Sequence, residues 1–347
     1  EQGDRAAIRA LVMYPMNALV ADQLTRLREA LDSDAVRKIL DKDFNGNRIF
    51  FGQYNGSTIG GGKTISDYTE LGNTAKTKAC RHIARQVEKT TNSHQSIRDH
   101  IAEKLRNLHS AKIRFGIGSD EFKSAEKEYK TAKSAQYIVP RVRRKKVTSE
   151  MVTRWDMQDC PPDILITNYS MLSIMMMRHT ESDMIRKTRE WYENDPDRNT
   201  DTPSRIFHLV IDELHLYRNT SGTEIAYLMR QFLTSIGVPP TVLRDGKHVP
   251  NPQLRILASS ASLGDADATE DFARQFFGVY YEDDKYTSDG KLLTKAFNIV
   301  NGTDYSPVST GKTINFQDFD IFKNDYVTSN DTHRSTVKQD LCSNYEC

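Results

Sequence analysis

Cysteine is scarce in this 347-residue chain: it has four, Cys80, Cys160, Cys342 and Cys347. They are too few and too scattered for a disulfide framework, which excludes the small stapled secreted class and leads us to expect a reducing cytoplasm. Long apolar runs are missing too. None approaches the roughly 18–20 residues of a membrane helix, so an integral helical membrane protein is not expected. There is no charge of one sign to argue from, with 48 Lys and Arg against 47 acids. The chain begins at Glu1, with neither an initiator methionine nor a signal-like leader, so it reads as a piece of a longer polypeptide.

What is present is a soluble composition, 37% hydrophobic and 27% charged, in an alternating pattern. Ala7–Tyr14 reads as a buried strand, followed by Met16, Leu19, Val20, Leu24, Leu27 and Leu31 on one helical face. Arg48–Tyr54, Asp163–Thr167, Ile206–Ile211 and Gln253–Ser259 read as four further strands. Ser170–Arg178 follows the third strand as an apolar helix. Short apolar strands alternating with helices predict an α/β fold with a parallel sheet covered on both faces. In such sheets ligands gather at the carboxyl ends of the strands.

Charge is distributed unevenly. Lys76–Lys146 holds 19 basic and 7 acidic residues, a surplus of 12 that leaves −11 for the remainder. This basic, mainly helical insertion, with helices over Cys80–His109 and Glu121–Ala135, ends in Arg141-Val142-Arg143-Arg144-Lys145-Lys146. Arg143 and Arg144 are candidate nucleic-acid contacts; a solvated pair of surface helices is the plain alternative. Trp155, just beyond, either stacks on a base or closes the insertion against the core.

Polar residues follow each strand. Ile211-Asp212-Glu213-Leu214-His215 places two adjacent carboxylates after a buried strand, where an unpaired buried charge is costly. Phosphoryl-transfer sites use such a pair, one acid holding Mg²⁺ and the other orienting the attacking water. A helix N-terminus favouring acids is the alternative. Ser259-Ser260-Ala261-Ser262 ends the next strand. Tyr14-Pro15-Met16-Asn17 and Thr167-Asn168-Tyr169-Ser170 are strand-to-helix turns whose N–H groups suit phosphate oxygens or ordinary capping.

The series Tyr14–Gln23, Thr167–Leu172, Asp212–His215 and Ser260–Ser262 resembles motifs Ia, Ic, II and III of superfamily 2 DNA helicases, with Asp-Glu-Leu-His as motif II. Tyr54-Asn55-Gly56 stands where motif Ib falls. The stretch His215–Gly222 is similar to the large-helicase-related and Mrf-type group, which includes large bacterial phage-defence helicases. The resemblance covers roughly residues 6–70 and 150–280. It implies a RecA-like first motor domain using ATP and Mg²⁺, with DNA and a second RecA-like domain as partners. Asp212 would hold Mg²⁺ through water, and Glu213 would activate the attacking water. His215, Ser260 and Ser262 would couple nucleotide state to strand movement, and Pro15, Asn17, Gly56, Thr167 and Asn168 would line the nucleic-acid path. Residues 1–70 and 151–281 would form the motor domain, 71–150 the insertion and 282–347 a polar tail. A remodeller that does not unwind, and an inactive DNA-binding scaffold, remain alternatives.

The pattern departs from that family in two respects, the first being that Glu282–Cys347 holds no second strand–helix array of the kind a second RecA-like domain needs. The phosphate loop G-x-x-x-x-G-K-S/T is missing: Gly60-Gly61-Gly62-Lys63-Thr64 has Ser57 where glycine is required, and Gly311-Lys312-Thr313 has Ser306. Cys342 and Cys347 form half of a zinc pattern at most, two unrelated thiols being the simpler account.

Overall fold

A computed structural model of the protein describes residues 6–15, 17–60, 73–138, 148–218, 220–261, 266–282 and 296–300. Met16, Lys63, Arg143, Arg144, Ser262, Lys312, Cys342 and Cys347 lie outside them, as do the side chains of Asn17 and Cys80. Residues 1–299 cluster as one unit and 300–347 as another, of which only Val300 is among the described residues.

The fold is the expected α/β type. Six strands, β1 (Ala10–Met13), β2 (Phe51–Gln53), β3 (Glu150–Met151), β4 (Ile164–Thr167), β5 (Phe207–Ile211) and β8 (Leu254–Ala258), form one sheet in the order β3-β2-β4-β1-β5-β8. Every pairing in it is parallel. The register sets Leu11 beside Leu165 and Leu209, and Val12 beside Ile166 and Val210. Alternation then sends the two sets to opposite faces. Leu11, Met13, Leu165 and Leu209 join Met171, Leu172, Met175 and Phe232 in the larger core. Phe51 and Ile166 join Tyr14, Val20 and Leu24 in the smaller one.

Helices cover both faces. α1 (Asn17–Asp32) supplies Val20 and Leu24 to the smaller core and is followed by α2 (Asp34–Asp43), whose first turn Ser33 caps. The larger core takes α6 (Tyr169–Met177), α7 (Ser182–Glu193), α8 (Thr220–Ser235) and α9 (Ala266–Phe277). A two-stranded antiparallel hairpin, β6 (Thr241–Arg244) and β7 (Lys247–Pro250), turns through Asp245 and Gly246, both at positive φ. The sequence pattern does not announce this hairpin, nor α2 or α7.

The basic insertion is helical. α3 (Asn73–Phe115) has 43 residues, roughly 65 Å at the α-helical rise. α4 (Asp120–Ser134) returns alongside it, tied by Lys104 Nζ to Glu128 Oε2 at 2.9 Å. Gly116 and Gly118, at φ +82° and +104°, make the turn between them. At its base, Arg28 of α1 donates to Glu150 through Nε (2.7 Å) and Nη2 (2.8 Å), and to the carbonyls of Tyr137 and Ile138 through Nη1. One buried guanidinium therefore joins α1, the end of the insertion and β3. A short helix, α5 (Arg154–Asp159), capped by Thr153, leads back towards β4.

Candidate functional site

Because all six strands run in parallel, their carboxyl ends share one edge of the sheet. That edge gathers Tyr14-Pro15 after β1, Tyr54-Asn55-Gly56 after β2, Thr167-Asn168 after β4, Asp212-Glu213 after β5 and Ser259-Ser260 after β8.

The acid pair sits between the ends of β1 and β8. The Asp212 N–H donates to the Met13 carbonyl at 3.2 Å, continuing the β1–β5 ladder one residue past the strand. Ser259 N–H donates to Ile211 O (3.0 Å) and Leu214 N–H to Ser259 O (2.9 Å), stitching the other side. The Ser259 hydroxyl donates to Asp212 Oδ1, which also accepts the Glu213 N–H at 3.1 Å. Among the described residues nothing donates to Asp212 Oδ2.

Glu213 lies in the left-handed region at φ 56° and ψ 48°, a conformation non-glycine residues avoid and functional sites retain. This twist ends the strand abruptly and starts the short 3-10 turn Leu214–Tyr217, with Leu216 N–H donating to Glu213 O at 3.0 Å. It also turns the Glu213 carboxylate back to His215, with Oε2 3.2 Å from Nδ1. The Ser260 hydroxyl stands 3.4 Å from the same Nδ1. The Glu213 side chain keeps 38% exposure. The two acids are thus half-buried and open to solvent, not sealed into the core. Two tyrosines feel Asp212. Burial first, and then the Asp212 charge, raise the Tyr14 phenol and push Tyr217 up to about 12.

The turn after β2 is rigid. Asn55 is buried and its Oδ1 accepts from Ser57 N (2.9 Å) and Ser57 Oγ (2.7 Å), an Asx turn around Gly56. A Cβ on Gly56 would meet nothing within 4 Å, so the backbone there is open to an approaching ligand. Beneath it, Arg154 Nη2 donates to Asn55 O at 2.6 Å while its guanidinium lies 5.3 Å from the Tyr54 ring centre. The Tyr54 hydroxyl donates to the buried Glu181 at 2.6 Å, and Gln158 Nε2 donates to the Tyr54 oxygen at 2.9 Å.

Thr167 and Asn168 are engaged within the protein. Thr167 is buried and donates to Tyr54 O at 2.7 Å; Asn168 Oδ1 accepts from Met171 N at 2.8 Å and caps α6. Pro15 is half-buried between β1 and α1, and Asn17 begins α1. Ser262, Arg143 and Arg144 cannot be placed, being outside the described residues. Trp155 is half-buried, its ring 3.4 Å from where a Gly60 Cβ would stand. Ser259 belongs to the serine run that the sequence places after β8, whereas the role of Arg154 has no counterpart in the sequence pattern.

Among the described residues no group of three or more His, Cys, Asp or Glu gathers as a metal cage. The donor set suits Mg²⁺ all the same: this ion keeps several waters and binds through one or two carboxylates. Asp212, whose Oδ1 accepts from Ser259 and from the Glu213 N–H while nothing among the described residues donates to Oδ2, is such a carboxylate.

No family model matches the chain. It is 29% identical over 313 residues to the Druantia protein DruE of Escherichia coli (strain UMEA 4076-1), an alignment that covers 85% of this chain and 14% of that protein. The chain therefore spans a small part of the relative's length. No helix among the described residues is long and apolar enough to cross a membrane.

Proposed function

We propose that the chain is the acid-bearing part of a RecA-like motor domain, one that hydrolyses ATP with Mg²⁺ to move along or unwind DNA, in cytoplasmic antiviral defence. One observation carries this reading. Asp212, Glu213 and His215, with Ser259 and Ser260 beside them, converge at the carboxyl edge of a parallel sheet, with one Asp212 oxygen unclaimed among the described residues. The likeness to DruE supports the defence context. Bound Mg²⁺ would neutralise developing phosphate charge. Asp212 would hold it through water, and Glu213 would orient the attacking water while His215 and Ser260 tie that acid to β8. The Asn55–Thr58 turn and the Pro15 bend would carry strand phosphates, which favours binding without base preference.

The reading also says where a phosphate loop belongs. It must end a strand close to Asp212, and both neighbours of β5 are taken, by β1 and β8. Neither is followed by such a loop. The nearest remaining position is beyond β8, where Leu257 is 57% exposed on a strand with one neighbour among the described residues. Parallel sheets are ordinarily covered, so this edge suits a further strand.

The test has two arms. Residues 1–347 alone should bind single-stranded DNA with a steep salt dependence and hydrolyse no ATP. Joined to a segment that supplies the loop, the protein should hydrolyse ATP with DNA stimulation, and Glu213→Gln should lower turnover at least a hundredfold while leaving DNA affinity intact. Full activity in Glu213→Gln would favour the scaffold; turnover and triplex displacement without duplex separation would identify a remodeller.

A further inference from the structure

The arm built by α3 and α4 ends in apolar side chains that the fold does not use. α4 has 15 residues, so the turn at 116–119 stands about 22 Å beyond the base where Arg28 holds the carbonyls of Tyr137 and Ile138. Along the arm Ala111 and Ala132 are buried, but at its end Ile113, Phe115 and Ile117 are 85%, 54% and 74% exposed. Single exposed apolar residues are ordinary; three within five positions at a projecting end form a patch. The turn that carries them is braced. Gly116 and Gly118 take positive φ, and the Ser119 hydroxyl donates to Gly116 O at 3.2 Å while accepting the Phe122 N–H at 3.2 Å.

Charge is distributed around this patch in a definite way. From Lys104 to Lys130, the acids Asp120, Glu126 and Glu128 are paired with Lys123, Lys130 and Lys104. Glu121 lies in the first turn of α4, where the helix dipole favours an acid. Arg106, Lys112, Arg114 and Lys127 have no ion pair among the described residues. Lys112, Ile113, Arg114 and Phe115 close α3, and at roughly 100° per residue they point to four sides in turn, cation and apolar group alternating. No side of the tip is purely apolar. A helix that lies in a protein groove or on a bilayer carries its apolar residues as one stripe, which this end lacks. A polynucleotide alternates in the matching way, with phosphates at close intervals and base faces between them.

We infer that the end of the α3–α4 arm is a nucleic-acid wedge. Ile113, Phe115 and Ile117 insert between bases where a duplex opens into single strands, and Lys112 and Arg114 hold the flanking phosphates. Bases at such a junction are already partly unstacked, so parting them costs least there. This rests on the DNA-binding part of the proposed function and not on its ATP chemistry, in which no residue of the arm takes part.

The experiment compares the 1–347 chain with two double variants at exposed positions, Ile113→Ser with Ile117→Ser, and Lys112→Gln with Arg114→Gln. The probes are a forked duplex carrying 2-aminopurine at its junction and a single strand of the same length. Fluorescence and affinity over a salt series are the readouts. The parent should bind the fork roughly fivefold more tightly than the single strand and brighten the 2-aminopurine. The serine variant should lose both the brightening and the preference while its single-strand affinity stays within about twofold of the parent's. The glutamine variant should bind both probes roughly tenfold more weakly, with a salt slope lower by about two. Single-strand binding without fork preference in the parent, or with preference and brightening unchanged in both variants, overturns the wedge and leaves the DNA reading standing. Binding of neither probe overturns both. Two further results would also overturn it, each with fork binding unchanged in the serine variant. Loss of cosedimentation with vesicles of equal parts phosphatidylserine and phosphatidylcholine would mark an anionic bilayer, and a fall from dimer to monomer in light scattering would mark a second copy of the chain.

Discussion

Ser259 donates its hydroxyl to Asp212 Oδ1, the oxygen that also accepts the Glu213 N–H, so both bonds fall on one carboxylate oxygen and, among the described residues, nothing donates to Oδ2. A carboxylate held in this way presents one oxygen in a set direction, which is how a supporting hydroxyl tunes a metal-bearing acid. Ser259→Ala removes the bond at an exposed position and should cost no more than about 1 kcal/mol of stability. In the loop-supplemented protein it should raise the Mg²⁺ concentration for half-maximal hydrolysis several-fold. A Mg²⁺ titration of turnover, run beside urea denaturation, checks both halves; an unchanged Mg²⁺ requirement would mean that Ser259 does not orient Asp212.

Two glycines should behave in opposite ways. At Gly222 an added methyl collides with the Tyr217 backbone carbonyl, which cannot rotate away as a side chain would. Gly222→Ala should destabilise by about 3 kcal/mol or more, through displacement of α8. At Gly56 the same methyl meets nothing within 4 Å. Gly56→Ala should leave the urea midpoint nearly unchanged, and any fall in DNA affinity would then come from blocked approach to the turn. Equal destabilisation by the two substitutions would contradict the packing described at Gly222.

The contrast shows what a one-dimensional reading can reach. Five strands were legible because interior parallel strands must be short continuous apolar runs, as Ile164-Leu165-Ile166 and Phe207–Ile211 are. The acid pair was legible because hydrophobicity stops at Ile211 and charge begins at once. α7 was not, because the residues it buries, Met184, Thr188 and Tyr192, lie in a helix otherwise full of Arg, Lys and Glu. Nor was the β6–β7 hairpin, whose Lys247 and His248 break any apolar alternation. The Tyr54–Glu181 bond joins residues 127 positions apart, and the Arg154–Asn55 bond 99. Neither has a local signature, and only the folded topology brings them under the β2 turn.

Arg28 and Glu150 form the anchor of the basic hairpin, with both side chains nearly removed from solvent. Burial, helped by the Asp32 charge, raises the Glu150 carboxyl against the opposing pull of Arg28, so the pair depends on remaining intact. Arg28→Met strands a buried carboxylate and frees the Tyr137 and Ile138 carbonyls, and should cost about 3–5 kcal/mol. Arg28→Met combined with Glu150→Gln should recover part of that loss, because no charge is left stranded. Amide exchange over 135–138 should quicken in both variants, and a single Arg28→Met variant as stable as the parent would show that the anchor lies elsewhere.

Tyr217 supplies a pH signature. Its hydroxyl is buried without a hydrogen-bond partner among the described residues, and burial followed by the Asp212 charge pushes its ionisation up to about 12 from the ordinary 10. Between those values the unfolded chain has released a proton that the folded chain still holds, so stability must fall as pH rises from about 10 to about 12 and be complete below it. The slope integrates to roughly 2–3 kcal/mol at most for this group. Tyr217→Phe removes both the ionisation and the unsatisfied hydroxyl. It should be neutral or more stable by about 1 kcal/mol at pH 8, and the gain should widen towards pH 12. Urea unfolding of the two proteins at pH 8, 10 and 11.5 measures this directly. A variant less stable than the parent at pH 8 would show that the hydroxyl has a partner after all.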